Sequence, residues 1–324
     1  MTRVFASVLT VAAMAVVIQQ PVWAEASAQQ WLERMALASR SLNYTGTFVY
    51  QHQNSLEAMR IVHAVDASGE RERLFSLTGP KREVLRDNQV VTCILGDSQA
   101  VMVNKSRPRT PFPASFPKKV VELEQNYKIR VMGEDRVAGL VCRVVAVESR
   151  DDFRYGRRFC VHDKSHLLLR SELTDSKGHV IEQVMFTTVT FPQSVSDREL
   201  LPNLDGADFT WQREPEQQPD QGDSSRNSRW KVMQVPDGFV LTDHNWHQLS
   251  AHQPGVEHWV YSDGLASVSI YIEKSRKKHA VYSGRSHRGA LNAFGTMVAD
   301  HYVTVVGEVP RRTVELIGKS VRFQ

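Results

Sequence analysis

Short apolar segments recur along the N-terminal part of the chain, and turn-forming residues separate them. Typical separators are Ala67-Ser-Gly-Glu70 and Asp175-Ser-Lys-Gly178. This pattern indicates antiparallel strands joined by hairpins. The predicted strands cover residues 45–50, 59–65, 73–77, 83–86, 90–95, 129–131, 141–147, 159–162, 167–173 and 180–191. One meander of this kind predicts a highly curved sheet or a partly open β-barrel.

A helix is predicted before these strands. Trp31, Leu32, Met35 and Ala38 fall on one side of a helical projection, and the polar residues between them lie elsewhere. Such spacing is typical of a surface helix that buries one face. We therefore expect the helix to cover a face of the sheet.

The C-terminal part of the chain predicts a smaller α+β unit. Its clearest element is a hairpin of residues 256–261 and 266–272 around the turn Ser262-Asp-Gly264. A further strand is predicted at residues 302–306. Pro310 suits the first position of a helix, and apolar residues follow it at helical spacing. The chain is therefore predicted to be mainly β, with a second, α+β domain.

A polar segment separates the two parts. Residues 212–229 contain no aliphatic or aromatic side chain between Trp211 and Trp230. A segment of this composition cannot bury enough apolar surface to offset the entropy lost on ordering. We therefore predict a flexible linker at residues 212–229, a first domain at residues 25–211 and a second domain at residues 230–324.

The first 24 residues have the features of a secretory signal. Arg3 precedes an apolar run from Val4 to Ile18, and Val22-Trp23-Ala24 ends with small residues at the positions that signal peptidase reads. The apolar run is too short for a membrane anchor. No cysteine lies near the expected cleavage point, so the pattern predicts no lipid anchor. We expect residues 1–24 to be removed and the mature chain to work in a bacterial periplasm.

Three cysteines in an oxidising compartment permit one internal disulfide. A hairpin centred near Asp151 would place Cys142 directly opposite Cys160 on the neighbouring strand. Cys142, however, shares a face with apolar residues, whereas Cys160 shares one with polar residues, so the pairing stays open. Cys93 is expected to be a buried free thiol.

Signatures of catalysis and metal binding are missing from the sequence. The chain contains no G-x-S-x-G turn, no phosphate-binding loop and no H-E-x-x-H motif. The Ser115-x-x-Lys118 and Ser275-x-x-Lys278 patterns lack the accompanying motifs of penicillin-binding enzymes. His244 and His247 would point to opposite faces of a strand, which is poor ligand geometry. We predict a protein that is not an enzyme and has no metal ion and no cofactor.

Two charged segments leave alternatives open. Residues 104–119 combine four prolines with basic residues, Phe112 and Phe116, which favours a functional flap over a disordered loop. The basic run that begins at Lys274 is either a solvated loop or a surface for lipopolysaccharide phosphates or an acidic partner. The net charge of +4 does not indicate nucleic-acid binding. The oligomeric state, including a homo-oligomer, is also left open.

Several short segments, in this order, resemble the RseB/MucB family of periplasmic regulators of the envelope-stress sigma factor. In the first domain they are Gly46-Thr-Phe-Val-Tyr50, Arg71-Glu-Arg-Leu74, Arg136-Val-Ala-Gly139 and Arg154-Tyr-Gly156. In the second they are Pro236-Asp-Gly-Phe239, Tyr261-Ser-Asp-Gly-Leu-Ala266, Tyr271-Ile-Glu273 and Val305-Val-Gly-Glu-Val-Pro310. Each segment is short, and the specificity comes from their combination with the linker and the signal.

The resemblance implies a first domain similar to the lipoprotein carriers LolA and LolB, which is a half-open antiparallel β-barrel with covering helices. It implies a second domain that binds the periplasmic segment of a transmembrane anti-sigma factor, RseA or MucA. Such a protein would shield that segment from site-1 proteolysis until a lipid or lipopolysaccharide signal released it. The alternative is a periplasmic lipid or lipoprotein carrier of the LolA type without a regulatory role.

Site residues follow from these implications as hypotheses. Phe112 and Phe116 would lie at the entrance of a lipid pocket in the first domain. The aromatic residues of the second-domain hairpin would serve as anchors if they face outward, and they are equally compatible with a core position. The proposed partner-binding residues are Trp259, Tyr261, Tyr271, Glu273, Lys274, Arg276 and Lys277.

Overall fold

The structure is a computed structural model that describes residues 26–105, 120–204, 208–213, 228–247, 255–275 and 283–324. The N-terminal signal, the segment with Phe112 and Phe116, and most of the predicted linker lie outside these ranges. Each domain is built on its own β-sheet.

The first domain contains one sheet of twelve strands. In chain order they are β1 (Tyr44–His52), β2 (Ser55–Asp66), β3 (Gly69–Ser76), β4 (Arg82–Asp87), β5 (Val90–Leu95), β6 (Ala100–Lys105), β7 (Tyr127–Val137), β8 (Leu140–Ser149), β9 (Gly156–His162), β10 (Leu168–Thr174), β11 (Val180–Thr190) and β12 (Thr210–Arg213). Their order in the sheet is β12-β6-β5-β4-β3-β2-β1-β11-β10-β9-β8-β7. The described strands do not close into a barrel, so the predicted fold class is confirmed.

Two details of the first sheet differ from the sequence prediction. The strands form two meanders, β1–β6 and β7–β11, which are joined by the pairing of β1 with β11. In addition, β12 pairs in parallel with β6 and includes Gln212 and Arg213, which the composition had assigned to the linker. Strand pairing uses backbone groups, and a polar segment therefore adds to a sheet edge as readily as an apolar one.

The helix α1 (Ala28–Ser41) is confirmed, together with its predicted apolar face. It begins after a capping box in which Ser27 and Gln30 exchange side-chain-to-backbone hydrogen bonds, and such a cap contributes about 1 kcal/mol. Trp31 and Leu32 are buried in one core cluster with Val145 and Phe159 of β8 and β9. The helix and a 3₁₀ helix at Val120–Gln125 thus cover the β7–β10 end of the sheet.

The opposite face of β8 and β9 carries a disulfide between Cys142 and Cys160, whose Cα atoms are 5.4 Å apart. The register differs from the predicted one, because Cys142 lies opposite His162 and Cys160 lies opposite Val144. This hairpin is centred on residue 152, not on residue 151. The two cysteines are therefore diagonal neighbours on one buried face, in a cluster that also contains Phe48 and Phe186.

The second domain contains a six-stranded sheet, a two-stranded sheet and one helix. Its elements are β13 (Trp230–Val232), β14 (Val240–His247), β15 (Val256–Ser262), β16 (Ser267–Lys274), β17 (Gly284–Arg288), β18 (Leu291–Val298), β19 (His301–Gly307), the helix Arg311–Ser320 and β20 (Val321–Phe323). The large sheet has the order β14-β15-β16-β19-β18-β17. The predicted hairpin, now β15 and β16, and the predicted strand at residues 302–306 are confirmed.

The C-terminal helix packs on β18 and β19. Val314 and Ile317 are fully buried on its inner face. Gly318 allows the close approach, since a Cβ atom there would lie 2.5 Å from a ring carbon of Phe294. The first domain also contains a short helix, α2 (Asp197–Leu200), which packs on β2 and β3, so the C-terminal helix is α3. None of the helices in the described part of the chain combines the length and the apolar character needed to span a lipid bilayer.

The disulfide gives a testable prediction about stability. It closes a segment with a sequence separation of 18 residues, and a cross-link of this span stabilises a domain by roughly 2–4 kcal/mol. We expect Cys142→Ala/Cys160→Ala to lower the free energy of unfolding by this amount in urea titrations. The matched control is Cys93→Ser, which removes a half-buried thiol outside the bond. Three alkylatable thiols in the oxidised wild-type protein would contradict the pairing.

Candidate functional site at the domain junction

The loop between β8 and β9 is the part of the first domain that enters the second. Asp151 fixes its shape, because one carboxylate oxygen, Oδ1, accepts hydrogen bonds from the backbone N–H of Phe153 at 2.8 Å and from Nε of Arg154 at 3.2 Å. The hydroxyl of Ser149 donates to the carbonyl of Asp151 at 2.6 Å. This is the local geometry of an Asx turn, which orders a loop without outside help.

Arg154 projects from this loop and is completely buried. Its Nη1 donates to Oδ2 of Asp263 at 2.8 Å, and its Nη2 donates to the backbone carbonyl of Asp237 at 2.5 Å. Both acceptors belong to the second domain. The guanidinium also lies over the rings of Tyr127 and Phe239, at 5.6 and 5.0 Å from their centroids. An arginine from one domain is thus enclosed by aromatic rings of both domains.

Asp263 is the centre of this arrangement in the second domain. Its Oδ2 accepts from the hydroxyl of Tyr127 at 2.9 Å as well as from Arg154. Its Oδ1 accepts from the backbone N–H groups of Leu265 and Ala266 and so holds the turn between β15 and β16. A buried carboxylate is stable only when it is paired and hydrogen-bonded in this way.

A second group of contacts surrounds Glu182 of β11. One carboxylate oxygen accepts from the hydroxyl of Tyr50 at 2.8 Å, and the other accepts from the backbone N–H of Ala290 in the second domain at 2.6 Å. Close by, Arg157 forms an ion pair with Glu308. The part of the first sheet around β1, β11 and β9 therefore also contacts the second domain.

Helix α3 supplies a third group of contacts. Arg312 pairs with Asp152 at 2.6 Å, and the hydroxyl of Thr313 donates to the carbonyl of Phe153 at 2.6 Å. The apolar contribution across the junction comes from Leu265, which belongs to the core cluster under α1. We define the domain junction as these three groups of contacts.

Two glycines let the backbone of the second domain approach side chains of the first domain closely. Gly238 and Gly289 have φ angles of +83° and +60°. A Cβ atom at Gly238 would lie 2.2 Å from the side-chain nitrogen of Asn126, and one at Gly289 would lie 2.2 Å from Oε1 of Glu182. Both positions combine a left-handed backbone with direct contact to the first domain, which is where glycine is needed.

The tyrosines of the junction are held in the protonated form. Burial raises the pKa of Tyr127 far above its ordinary value, and the neighbouring carboxylate of Asp263 raises it further. Burial and the hydrogen bond to Glu182 raise the pKa of Tyr50 in the same direction. Each phenol donates to a carboxylate, and an ionised phenol would replace this bond by repulsion.

The sequence-based candidates for partner binding lie in different environments. Trp259 and Tyr261 are buried in the core of the second domain, so the condition that they face outward is not met. They fall on the inner face of β15, beside Ile270 and Val268 of β16, and the indole N–H of Trp259 is satisfied by Glu257 at 2.8 Å. The prediction of these two residues as exposed anchors is therefore corrected.

Tyr271 lies on the other face of the sheet and is half-buried. Its ring stacks on His258, with centroids 4.3 Å apart. Glu273 and Lys274 are exposed, and Nζ of Lys274 lies 3.8 Å from Asp300. The remaining candidates lie outside the described residues, namely Arg276, Lys277, Phe112 and Phe116.

The histidines of the second domain show no metal-site geometry in the described segments. Nε2 of His244 contacts the buried carboxylate of Glu257 at 2.7 Å, and no group of three or more potential ligands occurs among the residues that the structure covers.

The residues of the domain junction were missed by sequence reasoning. A signal was available, because Arg154-Tyr-Gly156, Pro236-Asp-Gly-Phe239 and Tyr261–Ala266 all carried the family resemblance and meet at this junction.

Comparison with known proteins agrees with this two-domain layout. Residues 27–204 match the family model for the MucB/RseB N-terminal domain, and residues 224–322 match that for the MucB/RseB C-terminal domain. The sigma factor AlgU regulatory protein MucB of Pseudomonas aeruginosa is 32% identical over 314 residues, which cover 93% of each chain.

Solved structures are similar over both domains. The chain matches the MucA/MucB complex structure of Pseudomonas aeruginosa with a TM-score of 0.71 and 30% identity, covering 92% of this chain and 99% of the other. It matches a crystal structure of MucB with a TM-score of 0.62 and 28% identity, covering 92% and 98%.

The close backbone approach gives a second prediction. Gly289→Ala and Gly178→Ala each place a side chain at a left-handed φ angle, of +60° and +82° respectively. This backbone strain is expected to lower the free energy of unfolding of each variant by about 1 kcal/mol. Only Gly289→Ala meets a neighbour, since nothing lies within 4 Å of a Cβ atom at Gly178. We expect Gly289→Ala to lose about 1–2 kcal/mol more of the free energy of unfolding, because the carboxylate of Glu182 must move and give up hydrogen bonds to Tyr50 and Ala290. Equal losses in urea titrations would contradict a tight junction at Glu182.

The junction tyrosines give a prediction about pH. Their pKa values are raised in the folded state, so above pH 10 or so the unfolded chain releases protons that the folded chain retains. The contribution of these tyrosines to the free energy of unfolding is therefore complete below about pH 10, and it is lost as the pH rises further. We expect Tyr127→Phe to make this alkaline loss shallower in urea titrations between pH 9 and 11. Tyr271→Phe, away from the junction, is the control, and equal slopes for wild type and Tyr127→Phe would contradict the assignment.

Proposed function

This chain belongs to the MucB/RseB family, and on that premise we propose that it binds the periplasmic segment of a MucA- or RseA-like anti-sigma factor. Bound in this way, it shields that segment from site-1 proteolysis. The observation that carries the proposal is the match of both domains to MucB in the MucA/MucB complex. The relatives are named as regulators of a sigma factor, and the proposal includes no catalytic step.

The compartment is part of the proposal. We propose that the signal at residues 1–24 directs export and is then removed, and the disulfide between Cys142 and Cys160 suits an oxidising compartment such as the periplasm. A second domain at residues 230–324 and a flexible linker before it also remain proposals, with the first domain extended from residue 211 to the end of β12 at Arg213. They would place the partner-binding domain at the end of a connection that permits movement.

For the second domain, we propose contact through the outer face of β16. Tyr271 offers a half-buried ring there, Glu273 is exposed on the same face, and Lys274 is exposed at the end of the strand. Aromatic anchors with charged neighbours are typical of the residues that dominate interfaces. The basic residues Arg276 and Lys277 follow directly in sequence and extend this surface in the proposal.

For the first domain, we propose binding of an acyl chain. Leu74, Val84, Cys93 and Met102 lie opposite one another on β3–β6, form an apolar row and are only half-buried. The row continues from Ile61, which is fully buried. Contact with a lipid tail would bury it at about 0.8 kcal/mol per methylene, and Phe112 and Phe116 are proposed near the entrance.

A lipid can release the anti-sigma factor only by preferring the unbound form of the regulator. We propose such a lipid or lipopolysaccharide signal as the physiological trigger. The same apolar row also fits the alternative of a LolA-type carrier. A carrier would bind lipid in the same way and would leave the anti-sigma factor unprotected.

Reconstituted proteolysis tests the proposal. At a concentration of about 100 times the dissociation constant, the protein should slow site-1 cleavage of the anti-sigma periplasmic segment about 100-fold, equivalent to ~2.7 kcal/mol. Tyr271→Ala and Lys274→Glu should weaken binding and protection together. Lys128→Glu makes the same charge change at an exposed site in the first domain and should leave both unchanged.

The outcomes separate the candidate functions. Equal cleavage rates with and without saturating wild-type protein would reject the regulator. Lipid binding by that same protein would then favour the carrier. Protection that persists when lipopolysaccharide or lipid fragments are added at saturating levels would reject lipid release while leaving the binding function intact.

A further inference from the structure

We infer that Arg154 and Asp263 are positioning residues for anti-sigma binding, because they hold the two domains in the arrangement that binds the partner. The inference rests on the proposed function. Neither residue is placed on the partner surface itself, since both side chains are completely buried at the junction. Their contribution would come from fixing the second domain against the first.

The first step in the argument is that the junction is mostly polar. Apart from Leu265 and the ring of Phe239 under the Arg154 guanidinium, the contacts described across it are hydrogen bonds and ion pairs. They come from Arg154, Tyr127, Arg157, Glu182 and α3. Polar groups of this kind regain hydrogen bonds to water when an interface separates. Interfaces between domains that are rich in such groups behave like transient protein interfaces. A separated arrangement is therefore accessible at modest cost.

The second step is that the buried pair of Arg154 and Asp263 decides between the closed arrangement and the separated one. An arginine and a carboxylate without exposure are tolerated only as a pair, and removing one partner leaves an uncompensated buried charge. At a domain junction this charge can return to water if the domains separate. Removing Arg154 is therefore expected to open the junction and to leave each domain folded.

Arg154 can fix the orientation of the second domain without touching the partner. Its loop is fixed by Asp151, and its Nη2 reaches the carbonyl of Asp237 while its Nη1 reaches Asp263. Two acceptors on different segments of the second domain define an orientation, whereas a single contact would leave rotation free. The guanidinium therefore fixes how the second domain is turned as well as where it lies.

The comparison structures support the link to partner binding. Over both domains, this chain agrees better with MucB in the MucA/MucB complex than with the other MucB crystal structure, with TM-scores of 0.71 and 0.62. Each score covers both domains together, and the better match is with the structure that contains the anti-sigma factor. We assign the closed junction to the binding form on this basis.

The test combines a variant with a chemical bridge. Asp152 and Arg312 lie on opposite sides of the junction, are exposed and approach each other to 2.6 Å. In a Cys93→Ser background, Asp152→Cys/Arg312→Cys can be joined by a short bismaleimide. The bridged protein should bind the anti-sigma periplasmic segment at least as tightly as the unbridged protein. Loss of binding on bridging would overturn the inference.

Arg154→Met, without the bridge, should increase the radius of gyration in solution scattering and weaken binding by about tenfold or more, within the usual range of coupling between sites. Adding the bridge to Arg154→Met should restore binding. A variant that had lost its fold could not be restored by the bridge. The control is Arg130→Met, which removes an exposed ion pair with Glu148 on the neighbouring hairpin and should change neither readout.

The failures of the two proposals are distinguishable. If wild-type protein does not bind the anti-sigma segment, the proposed function fails and the positioning role fails with it. If wild-type protein binds and Arg154→Met opens in scattering but binds equally well, only the positioning role is overturned. If Arg154→Met does not fold, the bridged and unbridged forms with native Arg154 still decide the question by their relative affinities.

Discussion

The arrangement of this protein depends on one buried charge. Arg154 leaves the β8–β9 loop of the first domain and ends among groups of the second, with no exposed surface. Such a charge is stable only when it is paired and hydrogen-bonded. Asp151 of its own loop and Asp263 of the second domain supply the carboxylates, and the carbonyl of Asp237 accepts a further N–H group. The ion pair of Arg154 and Asp263 is the fully buried part of a largely polar junction between the two domains, whereas each domain is held together internally by an apolar core.

This division of roles has a functional consequence. The apolar cores stabilise each domain internally, because their side chains have no favourable exposed state. The polar junction is the weaker element, and it lies between a first domain with a half-buried apolar row and a second domain with the proposed partner surface. A change in the occupancy of one domain can then alter the other through the junction, provided that the ligand prefers one arrangement.

Local features of the fold could be predicted from the sequence. The apolar face of α1 and the β15–β16 hairpin follow from spacing within a single element. The predicted centre of the β8–β9 hairpin was wrong by one residue, because hydrogen bonds within the loop around Asp151 set the bend of that loop. The register of Cys142 and Cys160 was therefore wrong as well. Trp259 could not be placed, since alternation along a strand does not say which face is covered. Arg154 and Asp263 are 109 residues apart, and no local pattern connects them.

The distance between the domains in solution tests the central claim most directly. Spin labels at Lys128→Cys and Ser286→Cys, both exposed positions on different domains, can be measured by pulsed electron paramagnetic resonance in a Cys93→Ser background. The account predicts one dominant distance, equal to that in the structure, in the free protein and in the complex with an anti-sigma periplasmic segment. A broad or multiple distribution in the complex would contradict it.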